Sequence, residues 1–353
     1  ALTSPIGQTT VTATGLSAGT YWVEATDVNG CAASASVTLT DPPVLSVTAA
    51  VTSDYNGQDI SCNGFADGAV LATPAGGTGT YTYEWFDDAA LLSPIGQTTP
   101  AATNLAAGTY WVEVTDQNGC TASASVTLTQ PPALSLSLSI TSNYNGEDIS
   151  CNGAADGEVT ATVSGGTGTS DYNWYTDPGY SVPLGQFTAV AITLIAGDYY
   201  LRVNDVNGCA ITADITLTEP VALFATETAR TDVSCFGAAD GSLTVEATPG
   251  TGTAPYEYSI NGGATWQASG TFNALPAAAY VVQVRDINGC TFPVGVTVTQ
   301  PTPLVASILS TSMVSCNGLS DGEISVEANA GSGTAPDQYS IDGGTNWQAS
   351  GTF

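Results

Sequence analysis

Residues Leu105-Ala-Ala-Gly-Thr-Tyr110-Trp-Val-Glu-Val-Thr-Asp116-Gln-Asn-Gly-Cys120-Thr-Ala-Ser-Ala-Ser-Val-Thr-Leu-Thr129 read as two β-strands joined by a tight turn. A strand's period of two sends Tyr110, Val112 and Val114 inward and Trp111, Glu113 and Thr115 outward. Asn118-Gly119 between two alternating runs is a strong hairpin signal, because a type I′ turn needs positive φ at both central positions. The second run ends against Pro131 and Pro132, which lack the N–H that a continuing ladder would use.

Both halves of this stretch recur. Leu16 to Tyr21, Leu194 to Tyr199 and Leu275 to Tyr280 repeat the corner, with Ala278 standing for glycine in the last; Asp27 to Cys31, Asp205 to Cys209 and Asp286 to Cys290 repeat the turn. Cys31, Cys120 and Cys209 are 89 residues apart and Cys290 follows 81 later, while Cys62, Cys151, Cys235 and Cys316 form a second alternating series. Ser4 to Thr10 returns as Ser93 to Thr99, and Gly262 to Phe272 as Gly343 to Phe353. Proline junctions divide the chain into complete repeats at 42–130, 131–219 and 220–300, the last of a shorter subtype. They lie between the C-terminal part of a repeat at 1–41 and the N-terminal part of another at 301–353. The expectation is a window on a longer array.

Within each repeat, Gly-Gly-Thr-Gly or its equivalent separates an alternating strand such as Glu158 to Val163 from an aromatic one. Tyr81, Tyr83 and Trp85 share one face of that aromatic strand, as do Tyr172 and Trp174, and Tyr256, Tyr258 and Ile260; the face reads as core. The Leu-x-Ala-Gly-x-Tyr corner looks like the one before the sixth strand of an immunoglobulin-like sandwich, where a tyrosine hydroxyl ties down the turn. About seven strands per repeat then predict an all-β chain, a tandem array of immunoglobulin-like β-sandwich repeats strung into an extended rod.

Composition narrows the chemistry. The 353 residues carry 32 acidic and 3 basic side chains, a net charge of −29, with no histidine and no lysine; the cations are Arg202, Arg230 and Arg285. Triads that use histidine, imidazole metal ligands and lysine Schiff bases are therefore unavailable, and the chain is read as no enzyme. A surface this acidic repels polyphosphate, so neither nucleic acid nor anionic membrane is an expected partner. An apolar fraction of 43% with 10% charged residues is enough for packed cores. No apolar run reaches the roughly 18 residues of a membrane span, and Ala1 to Gly7 lack the pattern of a signal peptide.

Ser-Cys-Asn-Gly-x-x-Asp-Gly occupies Ser61 to Gly68, Ser150 to Gly157 and Ser315 to Gly322, and Ser234 to Gly241 with Phe236 in place of asparagine. Followed in fixed order by Gly-Gly-Thr-Gly, Leu-x-Ala-Gly-x-Tyr and Asp-x-Asn-Gly-Cys, it resembles the SprB-type repeat of very long surface adhesins of Bacteroidota, the gliding bacteria. The resemblance spans essentially the whole chain. It implies a cell-surface location, export by the type IX system, and a stalk or filament role in adhesion and gliding. Tyr-Asn-Gly insertions at Tyr55 to Gly57 and Tyr144 to Gly146 are absent from the later repeats.

Eight cysteines without histidine or a Cys-x-x-Cys pair point to disulfides. Pairing inside complete repeats gives Cys62–Cys120, Cys151–Cys209 and Cys235–Cys290, leaving Cys31 and Cys316 for partners beyond the window. Each such bond would close 55 to 58 residues, worth about 4 kcal/mol in the chain-entropy model. Geometry objects: a cysteine after a full first strand sits at the far pole, about 30 Å from the Asn-Gly-Cys turn. Either the Ser-Cys-Asn-Gly segment returns to the near pole or the bonds join neighbours as Cys62–Cys209 and Cys151–Cys290; same-repeat pairing is the expectation, because a repeated module usually completes its own crosslinks, while pairing sequence neighbours (Cys31–Cys62, Cys120–Cys151) would span a domain length.

Other candidate sites are weaker. Asp54, Asn56 and Asp59 resemble a short oxygen-ligand loop for calcium, with a tight surface turn as the plainer reading and no other cofactor indicated. Asp87 and Asp88 read as solvated turn acids, not a catalytic pair. Outward aromatics Trp22, Trp111, Tyr200, Trp266 and Trp347 are the candidates for stacking on surface polysaccharide, against the plainer reading that they cover the sandwich. The function that follows is a structural stalk or filament segment of a long extracellular adhesin. A glycan-binding repeat or a self-assembling sheath subunit is the alternative, and neighbouring repeats, further copies or polysaccharide are the corresponding partners.

Overall fold

Valine, threonine, alanine and serine at alternating positions suit a pleated, half-buried surface, and the chain forms strands throughout. The computed structural model describes residues 6–8 and 10–353; residues 1–5 and Thr9, at the start of the 1–41 segment, lie outside the described residues. Among the described residues there are 22 strands, and no helix is long and apolar enough to cross a membrane.

The 42–130 segment holds six strands: β3 (Ser46–Val51), β4 (Gly68–Ala75), β5 (Thr82–Phe86), β6 (Ala101–Leu105), β7 (Gly108–Thr115) and β8 (Thr121–Leu128). They make two antiparallel sheets, ordered β3-β4-β6 and β5-β7-β8. That is the immunoglobulin partition into A-B-E and C-F-G strands. The expected seventh strand is an irregular pass over 87–100. It runs beside β5, where the Ile95 N–H donates to the Trp85 carbonyl at 2.9 Å and the Trp85 N–H to that of Gln97 at 3.1 Å. It stays irregular because side chains take its backbone donors: Asp88 accepts from the N–H groups of Ala90, Leu92 and Ser93.

The expected faces are observed. Val112, Val114 and Trp85 are fully buried, and Tyr81, Tyr83 and Tyr110 pack against the same core together with Val70, Leu105 and Leu128. The Tyr110 hydroxyl donates to the Ala106 carbonyl at 3.1 Å, and Tyr199 and Tyr280 do the same to Ile195 and Pro276. These are the tyrosine corners anticipated from Leu-x-Ala-Gly-x-Tyr.

The 220–300 segment repeats the plan with β15 (Ala225–Thr231), β16 (Gly241–Ala247), β17 (Glu257–Ser259), β18 (Thr271–Leu275), β19 (Ala278–Arg285) and β20 (Thr291–Val298), around Leu243, Val245, Tyr258, Val282 and Val284. The 131–219 segment has β9 (Ser135–Ile140), β10 (Gly157–Ser164), β11 (Asp171–Tyr175), β12 (Val190–Leu194), β13 (Gly197–Asn204) and β14 (Ala210–Leu217), in the same two sheet orders. The flanking segments contribute the hairpin β1 (Gly19–Thr26) and β2 (Ala32–Leu39), and the pair β21 (Ala306–Ser312) and β22 (Glu323–Ala328).

The chain divides into two compact units. One comprises Ala1–Leu136, Val163–Tyr172 and Arg202–Thr212; the other comprises Ser137–Thr162, Asn173–Leu201 and Ala213–Phe353.

Register fixes which loops share a pole. In the 42–130 sandwich Ser46 faces Ala75, Thr82 faces Thr115 and Thr115 faces Thr121, so the leading pole carries Pro42, the β4–β5 loop and the Asn118-Gly119 turn. Val51 faces Val70, Gly68 faces Leu105 and Gly108 faces Leu128, so the trailing pole carries the β3–β4 loop with Cys62 and the exit at Thr129. Asp59 fastens that pole, accepting from the Thr129 N–H at 2.8 Å and its hydroxyl at 2.7 Å.

Trp85 fills the centre of this core and its indole N–H donates to the Thr99 carbonyl at 3.0 Å. Trp85→Ala is expected to destabilise the sandwich by about 3–5 kcal/mol; chemical denaturation followed by tyrosine and tryptophan fluorescence measures it.

Candidate functional site: the stapled junctions

The Asp-x-Asn-Gly-Cys turn is built differently from the type I′ expectation. Only its glycine has positive φ, at 85° for Gly119, 84° for Gly208 and 89° for Gly289. The Gly119 N–H donates to the Asp116 carbonyl and the Asp116 N–H to that of Cys120, which is a type I turn closed by a glycine bulge. The aspartate side chain selects this form. One carboxylate oxygen of Asp116 accepts the N–H groups of Asn118 and Cys120, and the other accepts that of Thr78 in the β4–β5 loop, each at 2.9 Å. Asp205 and Asp286 are buried and bonded in the same way. The N–H of Cys120, more than those of Thr78 and Asn118, holds the Asp116 carboxyl below the usual carboxylate range.

This turn presents asparagine and cysteine to the trailing pole of the preceding repeat. Cys209 is bonded to Cys62 and Cys290 to Cys151, each with a Cα–Cα distance of 5.6 Å. These bonds correct the same-repeat pairing of Cys62 with Cys120, Cys151 with Cys209 and Cys235 with Cys290. The Ser-Cys-Asn-Gly loop stays at the trailing pole, a strand length of about 25–30 Å from its own repeat's turn, whereas a disulfide spans at most about 7 Å between Cα atoms. Cys120 and Cys235, like Cys31 and Cys316, are exposed thiols. A rule joining each Ser-Cys-x-Gly cysteine to the following repeat's Asn-Gly-Cys leaves two of each type unpaired within 353 residues.

Around the first bond runs a polar clamp. The Asn207 amide donates to the Tyr55 and Ser61 carbonyls, both at 3.1 Å, and its oxygen accepts from the Asn56 amide at 2.5 Å. Asn63 donates to the Pro131 carbonyl at 2.9 Å and the Gly64 N–H to the Gln130 side chain at 2.8 Å, so the loop also grips the connecting segment. A groove of about 410 Å³ between Phe65, Pro132, Leu134 and Ile211 adjoins the bond.

The second junction repeats the set. Asn288 donates to Tyr144 and Ser150 and accepts from Asn145, Asn152 donates to the Glu219 side chain and the Pro220 carbonyl, and the Gly153 N–H donates to Glu219. The Tyr-Asn-Gly insertions thus form a socket. Asn56 and Asn145 sit in the left-handed region at φ 54° and 56°, and the Tyr55 and Tyr144 hydroxyls donate to the Asp67 and Asp156 carbonyls at 3.0 Å.

The calcium candidates are directed apart. Asp54 accepts the Gly57 N–H of its own turn, Asn56 reaches Asn207, and Asp59 holds Thr129. Asp88 closes the turn described above. The aromatics each sit on their own repeat. The ring of Trp266 lies under the Arg285 guanidinium at 4.2 Å, itself paired with Glu257 at 2.6 Å, and Tyr200 meets Tyr180 edge to face. Trp111 is half-buried opposite Ser125, while Trp22 and Trp347 are 60% and 59% exposed. Asn207 and Asn288 were not singled out as functional from sequence; their signal is the asparagine that precedes each Gly-Cys at Cys31, Cys120, Cys209 and Cys290.

Antiparallel A-B-E and C-F-G sandwiches in tandem, with the Asp205–Cys209 and Asp286–Cys290 turns docked on the preceding repeat's pole, define a multidomain immunoglobulin-like repeat protein. Four segments, residues 55–90, 143–179, 228–265 and 309–346, match the SprB repeat family, so the chain carries SprB repeats at four positions. Each match contains one Ser-Cys-x-Gly cysteine. No curated protein matches the chain.

Among solved structures, a 1.5-MDa bacterial ice-binding adhesin is similar at 14% identity over 74% of this chain and 98% of that one, TM-score 0.41. Sidekick-1 immunoglobulin domains 1–5 are similar at 14% identity over 80% and 66%, TM-score 0.30. The N-terminal eight Ig domains of DSCAM are similar at 11% identity over 88% and 55%, TM-score 0.26, so the chain spans about half to two thirds of these last two.

Loops of 147 and 139 residues closed by the two bonds are each worth about 5 kcal/mol against the unfolded chain in the entropy model. Cys209→Ser is therefore expected to lower the unfolding free energy by about 3–5 kcal/mol and Cys120→Ser to change it by less than about 0.5, both read by urea denaturation of purified protein.

Because the Asp116 carboxyl is depressed on folding, its contribution is fully present above the unfolded value near 3.9 and is lost as pH falls through the folded one. The urea midpoint of the wild type should decline below about pH 4, and Asp116→Asn should flatten part of that decline.

Proposed function

We propose that the chain is a stalk segment of a long extracellular adhesin, exported to the cell surface, whose repeats supply reach and stiffness for adhesion or gliding while binding specificity resides elsewhere. The observation that carries this reading is the repetition of one junction. The same asparagine clamp, connector grip and disulfide recur at both places where complete repeats follow one another. A contact rebuilt at both of these junctions, with Glu219 standing where Gln130 does, serves the array, and repeat proteins built on nearest-neighbour interfaces gain length with every added unit. Disulfides belong to an oxidising compartment, which supports placement outside the cell.

The repeat boundaries proposed for the array, 1–41, 42–130, 131–219, 220–300 and 301–353, follow the proline connectors. A role as a non-enzymatic spacer accords with carboxylates engaged as turn anchors. The polysaccharide reading has less support, because Trp266 and Tyr200 are covered by Arg285 and Tyr180 and Trp111 is half-buried.

Small-angle scattering of chains with three, five and seven repeats tests the stalk. The maximum dimension should rise in proportion to repeat number; growth with the cube root of mass, the behaviour of a compact particle, would reject it.

A further inference from the structure

The two staples overlap along the chain. Cys62–Cys209 encloses residues 63–208 and Cys151–Cys290 encloses 152–289, so residues 152–208 lie inside both loops. Every peptide bond from Cys62 to Cys290 therefore has at least one disulfide anchored on either side of it. This includes the connectors Gln130-Pro131-Pro132 and Glu219-Pro220, which same-repeat crosslinks would have left as single covalent strands.

We propose that the staples act as a covalent lap joint, which keeps the array in one piece and limits its extension independently of the integrity of any single peptide bond between Cys62 and Cys290. The shortest covalent route between those cysteines runs through both disulfides and the 58 residues from Cys151 to Cys209 (209 − 151), against 228 residues (290 − 62) along the main chain. At full extension these are about 200 Å and about 780 Å at ~3.4 Å per residue. Overlap makes the joint redundant. With only Cys151–Cys290 the route is 89 residues (151 − 62), and with only Cys62–Cys209 it is 81 (290 − 209). All three arginines, Arg202, Arg230 and Arg285, fall within the joined interval, so a nick at any one of them leaves the two ends connected.

The lacing goes beyond the stalk reading and stands apart from it: a compact particle in the scattering experiment would remove the stalk and leave the joint untouched.

The wild-type chain tests it without any variant. After its free thiols are alkylated, the oxidised protein is denatured and digested with trypsin into 1–202, 203–230, 231–285 and 286–353, and the products are separated and weighed without reduction. The joint requires one species holding 1–202, 203–230 and 286–353 together, with 231–285 released. Two species, 1–202 with 203–230 and 231–285 with 286–353, would overturn it, as would four separate fragments.

Stretching single molecules held outside Cys62 and Cys290 supplies a second readout. The span between those cysteines should reach the contour of 58 residues in the oxidised wild type and in Cys120→Ser, 89 in Cys209→Ser, 81 in Cys290→Ser and 228 after reduction. An oxidised wild type that pays out the full 228, or a Cys120→Ser variant longer than wild type, would refute the proposal.

Discussion

An odd number of passes through a sandwich places its two chain ends at opposite poles, and the rest of this molecule follows from that parity. Each repeat makes seven passes, six as strands and one as the irregular 87–100 segment or its counterpart. The β3–β4 loop must then share a pole with the exit, and the β7–β8 turn a pole with the start. Cys62 consequently lies beside Gln130 and Pro131, where the next repeat begins, while Cys120 lies a full strand length away. A crosslink between these two kinds of loop can close only across a junction.

Parity brings the loops to one place, but the bond also requires fixed geometry, and buried aspartates provide it. Asp205 binds the N–H groups of Asn207 and Cys209 on one oxygen and that of Thr167 on the other, locking the turn to the adjacent loop of the same repeat. Charge-assisted bonds of this kind are stronger than neutral ones. Asn207 then emerges with its amide fully used: two donors on Tyr55 and Ser61, its oxygen on Asn56. Leaving those groups unpaired would cost about 1–3 kcal/mol each where they are buried, so the clamp sets orientation as well as affinity.

Much of the fold was legible because it depends on local periodicity. The inward faces of Tyr110, Val112 and Val114 and of Tyr81, Tyr83 and Trp85, the tyrosine corners, and the proline connectors all follow from residue spacing. What failed were features set through space. Asn118-Gly119 suits both a type I′ turn and a type I turn with a glycine bulge, and the Asp116 side chain, bonded across to Thr78, settles which forms. The 87–100 pass resembles a strand until Asp88 claims its donors. Cysteine pairing was the extreme case. Same-repeat and neighbour pairing both join a Ser-Cys-x-Gly cysteine to an Asn-Gly-Cys cysteine, and only the strand directions of a whole repeat separate them.

The acidic composition gives the staple a further physical reason. A net charge of −29 spread over the repeats makes adjacent repeats repel one another, with a Debye length of about 8 Å at physiological ionic strength setting the range. The noncovalent side of the junction comprises asparagine amides on backbone carbonyls, side-chain bonds to the connector and a groove of about 410 Å³ between Phe65, Pro132, Leu134 and Ile211. Such contacts are individually modest in water. A covalent bond at the same spot is indifferent to salt and to the sign of neighbouring charge. The chain can therefore keep an acidic surface while Cys62–Cys209 and Cys151–Cys290 hold successive repeats together against that repulsion.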